Sequence, residues 1–185
     1  MSLEHLAELG RLANGCAAEL EQPVRRYAAL VRETLAAGRT VFFAGNGGSA
    51  AHAQHVATEY VVRYRPVARR AAAALALSTD SSLITAAGND LGFDAIFARQ
   101  VEAHGRPGDL LVLVSTSGSS PNLLRAAETA KRLGVRTVGL LAKGGGALGK
   151  LVDHAVIVPT DDTALAQELQ LAVDHFVCSL VEPTL

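Results

Sequence analysis

Hydrophobic positions in the first fifth of the chain follow a helical spacing. Apolar residues recur every three or four positions from Leu6 to Leu35, which is the spacing of one buried helix face. Gly15 and Pro23 interrupt this stretch. Residues 3–37 are therefore predicted to form either a helical hairpin or one long broken helix.

The rest of the chain alternates short runs that are apolar on both faces with helical patterns. Runs of this kind are typical of strands covered by helices on both faces of a parallel sheet. The predicted strands are 40–44, 72–77, 110–114, 135–141 and 155–158, and the predicted helices are 49–64, 81–87, 93–104, 122–133 and 163–181. The alternation predicts an α/β fold, a doubly wound parallel sheet of about five strands flanked by helices. We expect one domain over residues 1–185, with a helical segment at 1–38 and an α/β core at 39–185.

Composition excludes several classes of protein. Of the 185 residues 49% are hydrophobic and 19% are charged, which excludes a disordered or fibrous chain. Mean hydropathy is +0.24, yet the apolar runs fall far short of the ~20 residues that a spanning helix requires. The net charge of -1 argues against nucleic-acid binding through bulk charge. Cys16, Cys178 and a first segment without signal-peptide character predict a cytoplasmic protein with two free thiols.

Two loops rich in glycine and hydroxyl groups follow the first and third predicted strands. Residues 45–49 read GNGGS and residues 115–120 read STSGSS. The second loop offers hydroxyl donors and the N–H groups of a helix N-terminus, which together suit a phosphate monoester. For the first loop two alternatives stay open. One is a plain turn capped by Ser49, and the other is dinucleotide binding with Asp80 as the ribose-binding acid.

Ionisable and amide side chains are concentrated on two predicted helices. His55 and Glu59 share a helix face at i, i+4 spacing, and His52 lies nearby. The last helix carries Gln167 and His175. Two imidazoles, one carboxylate and one amide oxygen make a plausible four-ligand zinc site. The alternatives are a surface His–Glu pair and a core histidine at position 175.

Two polar groups outside these helices also have alternative interpretations. Asn89 and Asp90 follow Gly88 and either bind a ligand or cap the boundary between two helices. A short basic cluster is either a solvated segment or, as the second interpretation, a subunit contact. Its members are Arg63, Arg65, Arg69 and Arg70.

The ordered set of these residues resembles the SIS (sugar isomerase) domain family, and within it the isomerases of sedoheptulose 7-phosphate. The resemblance extends from the N-terminal helical segment to Val181. It rests on residues 45–49, 53–59, 88–90, 115–118 with Ser120, and Gln167–Glu168 with His175. It implies the SIS fold and an intramolecular aldose–ketose isomerase. Such an enzyme converts sedoheptulose 7-phosphate to D-glycero-D-manno-heptose 7-phosphate through an enediolate, for nucleotide-activated heptose biosynthesis.

The resemblance also implies roles for individual residues. Glu59 and His175 are expected to be catalytic. One Zn²⁺ per subunit is expected on His55, Glu59, Gln167 and His175. Substrate contacts are expected from Asn46, Gly47, Gly48, Ser49, Glu59, Asn89, Asp90, Ser115, Thr116, Ser117, Ser120 and Gln167. The implied partners are a phosphorylated ketose or aldose and further copies of the chain, as a homotetramer with sites between subunits and residues 1–38 serving assembly. No nucleic acid or membrane is expected as a partner.

Three positions depart from the family pattern. His52 stands where the family usually has Asp, Ala164 where a polar or acidic residue is common, and Gln170 where His is usual. The expected ligands survive these changes, which favours isomerase chemistry but leaves open another ketose phosphate as substrate. The alternative from another class is a non-catalytic SIS adaptor or regulator, of the type that binds the bacterial replication initiator. Retention of Glu59 and His175 argues against it.

Overall fold

A five-stranded parallel sheet organises the part of the chain that the computed structural model describes, residues 3–185. Its strands are β1 (Val41–Gly45), β2 (Ala74–Ala76), β3 (Leu110–Ser115), β4 (Arg136–Leu141) and β5 (His154–Ile157). The α-helices in this range are α1 (Glu4–Ala36), α2 (Gly48–Val61), α3 (Ser81–Leu91), α4 (Ile96–His104), α5 (Pro121–Arg132), α6 (Leu148–Leu151) and α7 (Thr163–Val181). The strand order is β2-β1-β3-β4-β5. The chain moves from β1 to one side and later returns to the other, so the switch point lies between β1 and β3. The predicted doubly wound fold is confirmed.

Different helices cover the two faces of the sheet. Val41 and Phe43 of β1 pack with α1, α2 and α7, whereas Phe42 and Ala44 pack with α3, α4, α5 and α6. All six residues of β3 are buried, as its apolar sequence predicts. The two predicted loops therefore follow β1 and β3, strands that are buried along their whole length at the centre of the sheet.

Helix α1 runs through both predicted interruptions without a break. Leu20, Val24 and Tyr27 lie on one buried face on either side of Pro23, and this face packs against α7 and β5. The Pro23 carbonyl accepts a hydrogen bond of 2.7 Å from His154 Nε2. An internal proline costs a helix about 3 kcal/mol, and burial of this continuous apolar face offsets that cost. The predicted hairpin or broken helix is wrong.

Smaller differences occur where elements are short or exposed. Strand β2 contains only three residues, because it lies at the sheet edge with Leu75 exposed. Helix α3 continues through Gly88, and the positive φ of +87° falls instead on Gly92, directly after its last residue. The four-residue α6 was not predicted, since so short a segment shows no periodicity.

Cys16 and Cys178 are both free thiols, as predicted, and both are buried. Burial, assisted by the negative charge of Asp174, raises the pKa of Cys178 to about 12. None of the helices described is long and apolar enough to cross a membrane.

Candidate active site

The two glycine- and hydroxyl-rich loops meet at the carboxyl ends of the central strands. They leave the carboxyl ends of β1 and β3, which are neighbouring strands on either side of the switch point. Two reciprocal hydrogen bonds of 2.9 Å join the side-chain amides of Asn46 and Asn122. Asn122 lies in the first turn of α5, so these bonds tie the first loop to the helix that follows the second.

The first loop places main-chain N–H groups at the start of α2. Gly47 precedes the helix with a φ of +55°, a left-handed conformation, and no side chain caps the helix start. The interpretation as a turn capped by Ser49 is therefore wrong; Ser49 is buried inside the helix. A Cβ at Gly48 would lie 2.7 Å from Nε2 of Gln167, at the far end of a flexible side chain on α7, so a larger residue at position 48 would displace that amide. The first loop and α7 are therefore in direct contact at Gly48.

The second loop is folded partly by its own hydroxyl groups. Ser115 Oγ accepts a hydrogen bond of 3.0 Å from the N–H of Gly118, and Ser117 Oγ accepts one of 3.3 Å from the N–H of Ser119. A hydroxyl that accepts still has its own hydrogen to donate. These bonds therefore shape the loop without removing its donors.

The start of α5 leaves further donors available to an anion. Ser120 directly precedes the helix, yet its side chain makes no capping hydrogen bond. Thr116 and Ser120 are half-buried and Ser117 is exposed. Hydroxyl donors at a helix N-terminus attract negative charge, so the arrangement can bind a phosphate group.

Three ionisable side chains from α2 and α7 converge on one point. His55 Nε2 lies 3.0 Å from His175 Nε2 and 3.3 Å from Glu59 Oε1. One ligand atom from each residue lies within 4.8 Å of the others. Zinc–nitrogen bonds of about 2.0–2.1 Å in a tetrahedron put ligand atoms about 3.3 Å apart. The donor set and its spacing therefore fit a zinc ion.

The cluster is partly open on one side and bounded by an aromatic ring on another. The side chain of His55 is 46% exposed and that of Glu59 is 18% exposed. The ring of Tyr64 lies with its centroid 5.5 Å from that of His175. Gln167 lies eight residues before His175 on α7, against the first loop, and its metal-ligand role stays a prediction.

A buried polar network that the sequence did not reveal lies directly beside the cluster. Asp174 is fully buried, and its two oxygens contact the Tyr27 hydroxyl and His52 Nε2, each at 2.7 Å. Periodicity alone could not pair His52 with Asp174, because 122 positions separate them.

The other two departures from the family pattern lie apart from the His–Glu–His cluster. Gln170 is fully buried, and its Nε2 donates to the carbonyls of Leu140 and Ser115 at 3.0 and 3.4 Å. It therefore links α7 to the ends of β3 and β4. Ala164 is exposed in the first turn of α7.

The remaining predicted acids and amides lie on α3. Asn89 and Asp90 are exposed in its last turn and bond to each other at 2.7 Å. Since α3 continues past them, the helix-boundary interpretation is wrong. Among the described residues neither shares a side-chain hydrogen bond with a predicted site residue outside this pair, and their substrate role stays a prediction. Asp80 caps α3 by accepting the N–H of Leu83 at 2.9 Å, which is a structural role.

Arg69 behaves differently from the other members of the basic cluster. Its side chain is buried and pairs with Glu182 at 3.0 Å, and it donates to the Tyr60 carbonyl at the end of α2 at 2.9 Å. Burial alone would raise the pKa of Glu182, but hydrogen bonds from Arg69 and two main-chain N–H groups outweigh it and hold the pKa below its usual value. For Arg69 the solvated interpretation is wrong; Arg63, Arg65 and Arg70 are exposed.

Comparison with known proteins gives consistent matches along the chain. The family model for the SIS domain matches residues 4–142. The phosphoheptose isomerase of Akkermansia muciniphila is 48% identical over 165 residues, which cover 89% of this chain and 87% of the relative. That of Trichlorobacter lovleyi is 47% identical over 179 residues, covering 97% and 89% respectively. The solved structure of phosphoheptose isomerase from Neisseria gonorrhoeae superposes with a TM-score of 0.91 at 36% identity, covering 98% of this chain and 96% of that one.

Proposed function

The chain belongs to the SIS domain family, and from that membership we propose that it is a phosphoheptose isomerase. It converts sedoheptulose 7-phosphate to D-glycero-D-manno-heptose 7-phosphate for nucleotide-activated heptose biosynthesis. The observation that carries the proposal is the convergence of His55, Glu59 and His175 on the helix pair that adjoins the first loop. The similarity to phosphoheptose isomerases over 89–98% of this chain supports it.

Substrate binding is assigned to the loops at the switch point. Hydroxyl and N–H groups of Ser115, Thr116, Ser117 and Ser120 hold the phosphate. The first loop lines the sugar through main-chain groups and Asn46, and Asn89 and Asp90 are proposed to contribute further contacts. Binding the phosphate far from the reacting carbons holds C1 and C2 in position for proton transfer.

Proton transfer between C1 and C2 is assigned to Glu59 and His175. The Glu59 carboxylate removes the proton from C1 of the ketose and returns it to C2, through an enediolate. His175 donates a proton to the C2 carbonyl oxygen, where negative charge develops, and takes up the proton of the C1 hydroxyl as the C1 carbonyl forms, so that both oxygens end in the right protonation state. Glu59 Oε1 lies 3.3 Å from His55 Nε2, and this contact orients the carboxylate toward the cluster.

A zinc ion is proposed on His55, Glu59, Gln167 and His175. When bound there, the ion supplies Lewis-acid polarisation of the substrate oxygens. The spacing of the two imidazole nitrogens and the carboxylate supports this assignment.

Self-association is also proposed, as a homotetramer of a cytoplasmic enzyme. A groove of about 410 Å³ between α1 and α7 has a mainly apolar lining, including Leu20 and Leu169. Phe176, next to His175, projects there with 42% of its surface exposed. Light scattering should give about four times the chain mass of 19.2 kDa, and a monomer mass would contradict the proposal.

The central test follows aldose formation from sedoheptulose 7-phosphate. Wild-type protein should convert the substrate, whereas Glu59→Gln should lose about 10²- to 10⁴-fold in kcat with little change in KM, because it removes the base together with one proposed zinc ligand. Glu128→Gln, an exposed glutamate on α5, is the matched control and should keep full activity.

The outcomes separate the competing functions. Full turnover by Glu59→Gln contradicts the base assignment. A wild-type protein inactive on sedoheptulose 7-phosphate but active on another ketose phosphate contradicts the substrate, and inactivity on all of them favours the adaptor or regulatory alternative.

A further inference from the structure

A buried three-residue network connects α1, α2 and α7 next to the proposed metal cluster. Asp174 has no exposed surface. The hydroxyl of Tyr27, on α1, donates to Asp174 Oδ1, and His52 Nε2 donates to Asp174 Oδ2, both at 2.7 Å. Each carboxylate oxygen therefore has a strong donor, which is the condition for tolerating a buried carboxylate.

The Tyr27 hydroxyl is available only as a donor. Burial, followed by the negative charge of Asp174, raises the pKa of Tyr27 well above its usual value. The phenol consequently stays protonated, and its hydrogen is directed at the carboxylate. His52 has one ring nitrogen in this contact, while its buried Nδ1 has no hydrogen-bond partner in the described structure.

The position of this network along the two helices relates it to the metal cluster. His52 precedes His55 by one helical turn on α2, and Asp174 directly precedes His175 on α7. The 2.7 Å contact between His52 and Asp174 and the 3.0 Å contact between His55 and His175 are successive bridges between the same two helices. Because each helix is rigid over one turn, a change in the distance between α2 and α7 at one bridge also changes that distance at the other bridge.

Solvent exposure differs sharply between the two bridges. The side chains of His52 and Asp174 are 7% and 0% exposed, whereas His55 is 46% exposed. Within the described chain, the ring of His55 is therefore open to solvent, whereas the inner bridge is enclosed by the core. The inner bridge is the more rigidly held of the two contacts between α2 and α7.

We propose that His52, Asp174 and Tyr27 are positioning residues that set the distance between α2 and α7 and so hold His55, Glu59 and His175 at metal-binding spacing. The network acts through the helices and touches neither substrate nor metal. Outer partners that orient ligands typically change metal affinity by about 10- to 100-fold when removed. The inference rests on the metal site proposed above.

The test measures zinc affinity by competition with a chromophoric chelator, together with the visible absorption spectrum of the Co²⁺-loaded protein. Asp174→Asn places an amide N–H opposite one of the two hydrogen-bond donors, so that this hydrogen bond is lost. Zinc affinity should then fall about 10- to 100-fold, with an altered Co²⁺ spectrum. Tyr27→Phe removes a single oxygen and should show a smaller loss in the same direction. The exchange His52→Asp with Asp174→His restores a carboxylate–imidazole pair and should recover most of the affinity.

Asp109→Asn provides the matched control. Asp109 is also a buried carboxylate that accepts two main-chain hydrogen bonds, from Thr40 and Arg106, but it directly precedes β3, at the end of the sheet opposite the site. This variant should lower the melting temperature and leave zinc affinity within about twofold of wild type, since no helix of the cluster is touched.

The measurements distinguish failure of the positioning role from failure of the metal-site proposal on which it rests. Wild-type affinity and a wild-type Co²⁺ spectrum in Asp174→Asn would overturn the positioning role, and where that variant does not fold, Tyr27→Phe decides in the same way. If wild-type protein binds neither ion, the metal proposal fails. The inference is then decided by turnover without added metal: reduced kcat with unchanged KM in Tyr27→Phe supports it, and unchanged kcat contradicts it.

Discussion

Replacing Gly118 by alanine should show how much two separate factors, backbone conformation and steric collision, cost a side chain in the second loop, residues 115–120. Gly118 has a φ of +62° and is buried where the second loop crosses residues 144–146. Its carbonyl also accepts the N–H of Leu148 at 2.8 Å, so the two segments are tied together at this point. A Cβ at position 118 would collide with the carbonyl of Gly145 and lie 3.0 Å from the N of Gly146.

The magnitude follows from treating conformation and collision separately. An L-residue in the left-handed region costs roughly 1–2 kcal/mol. Because the colliding atoms are backbone, they cannot rotate away, and displacing a packed segment costs about 1–3 kcal/mol more. Gly118→Ala should therefore lose about 2–5 kcal/mol of unfolding free energy.

A second glycine in the crossing segment isolates the conformational part. Gly144 has a φ of +71°, yet a Cβ there meets no atom within 4 Å, so Gly144→Ala should lose only about 1–2 kcal/mol. Urea unfolding gives both values, and the isomerase assay should show an increased KM for Gly118→Ala alone. Equal losses of stability in the two variants would refute the argument that the collision matters.

Two further perturbations test the loop and the buried ion pair. Ser117→Ala should raise KM for the sugar phosphate about 10-fold or more with little change in kcat, because a hydrogen bond to a charged group contributes about 1.5–3 kcal/mol. Ser119→Ala removes a hydroxyl that bonds back to the Ser117 carbonyl and should change KM far less; equal effects would contradict the assignment. Glu182→Gln should destabilise the protein by about 3–5 kcal/mol at pH 7, since it leaves Arg69 buried without its counter-charge. Because the folded-state pKa of Glu182 lies below its usual 4.5, the carboxylate contributes stability above pH 4.5 and loses it as the pH falls through the folded value. Urea unfolding should thus show the gap in unfolding free energy between wild type and Glu182→Gln narrowing as the pH falls below 4.5, and a constant gap would show that the charge is not responsible.

The central strands could be predicted from the sequence because short segments that are apolar on both faces fit only the buried interior of a sheet covered by helices. Strands β1, β3 and β4 are apolar on both faces, and the predicted and observed boundaries differ by one residue. Local patterns failed where tertiary packing decides the outcome. Pro23 predicted a break in α1, but the buried face that includes Leu20 and Tyr27 continues past it against α7. Gly88 predicted a helix end, yet α3 continues for three more residues.

The elements of the candidate site were predictable to different degrees. The two loops and the His55–Glu59 pair could be predicted, because each lies within a few residues of chain. The pairing of His52 with Asp174 and of Arg69 with Glu182 could not, since 122 and 113 positions separate the partners. Nothing in a single sequence states which distant polar residues will be buried together.

The site combines two halves that depend on different parts of the fold. The second loop is held by β3, α5 and the segment around Gly145, at the carboxyl ends of the central strands. The His–Glu–His cluster is fixed by α2 and α7, and through Tyr27 by α1. Changes to the loop should therefore act mainly on KM, and changes to the helix pair mainly on kcat and metal affinity. Gln167 lies against Gly48 between the two halves. It is accordingly the position at which a single substitution should alter KM and kcat together.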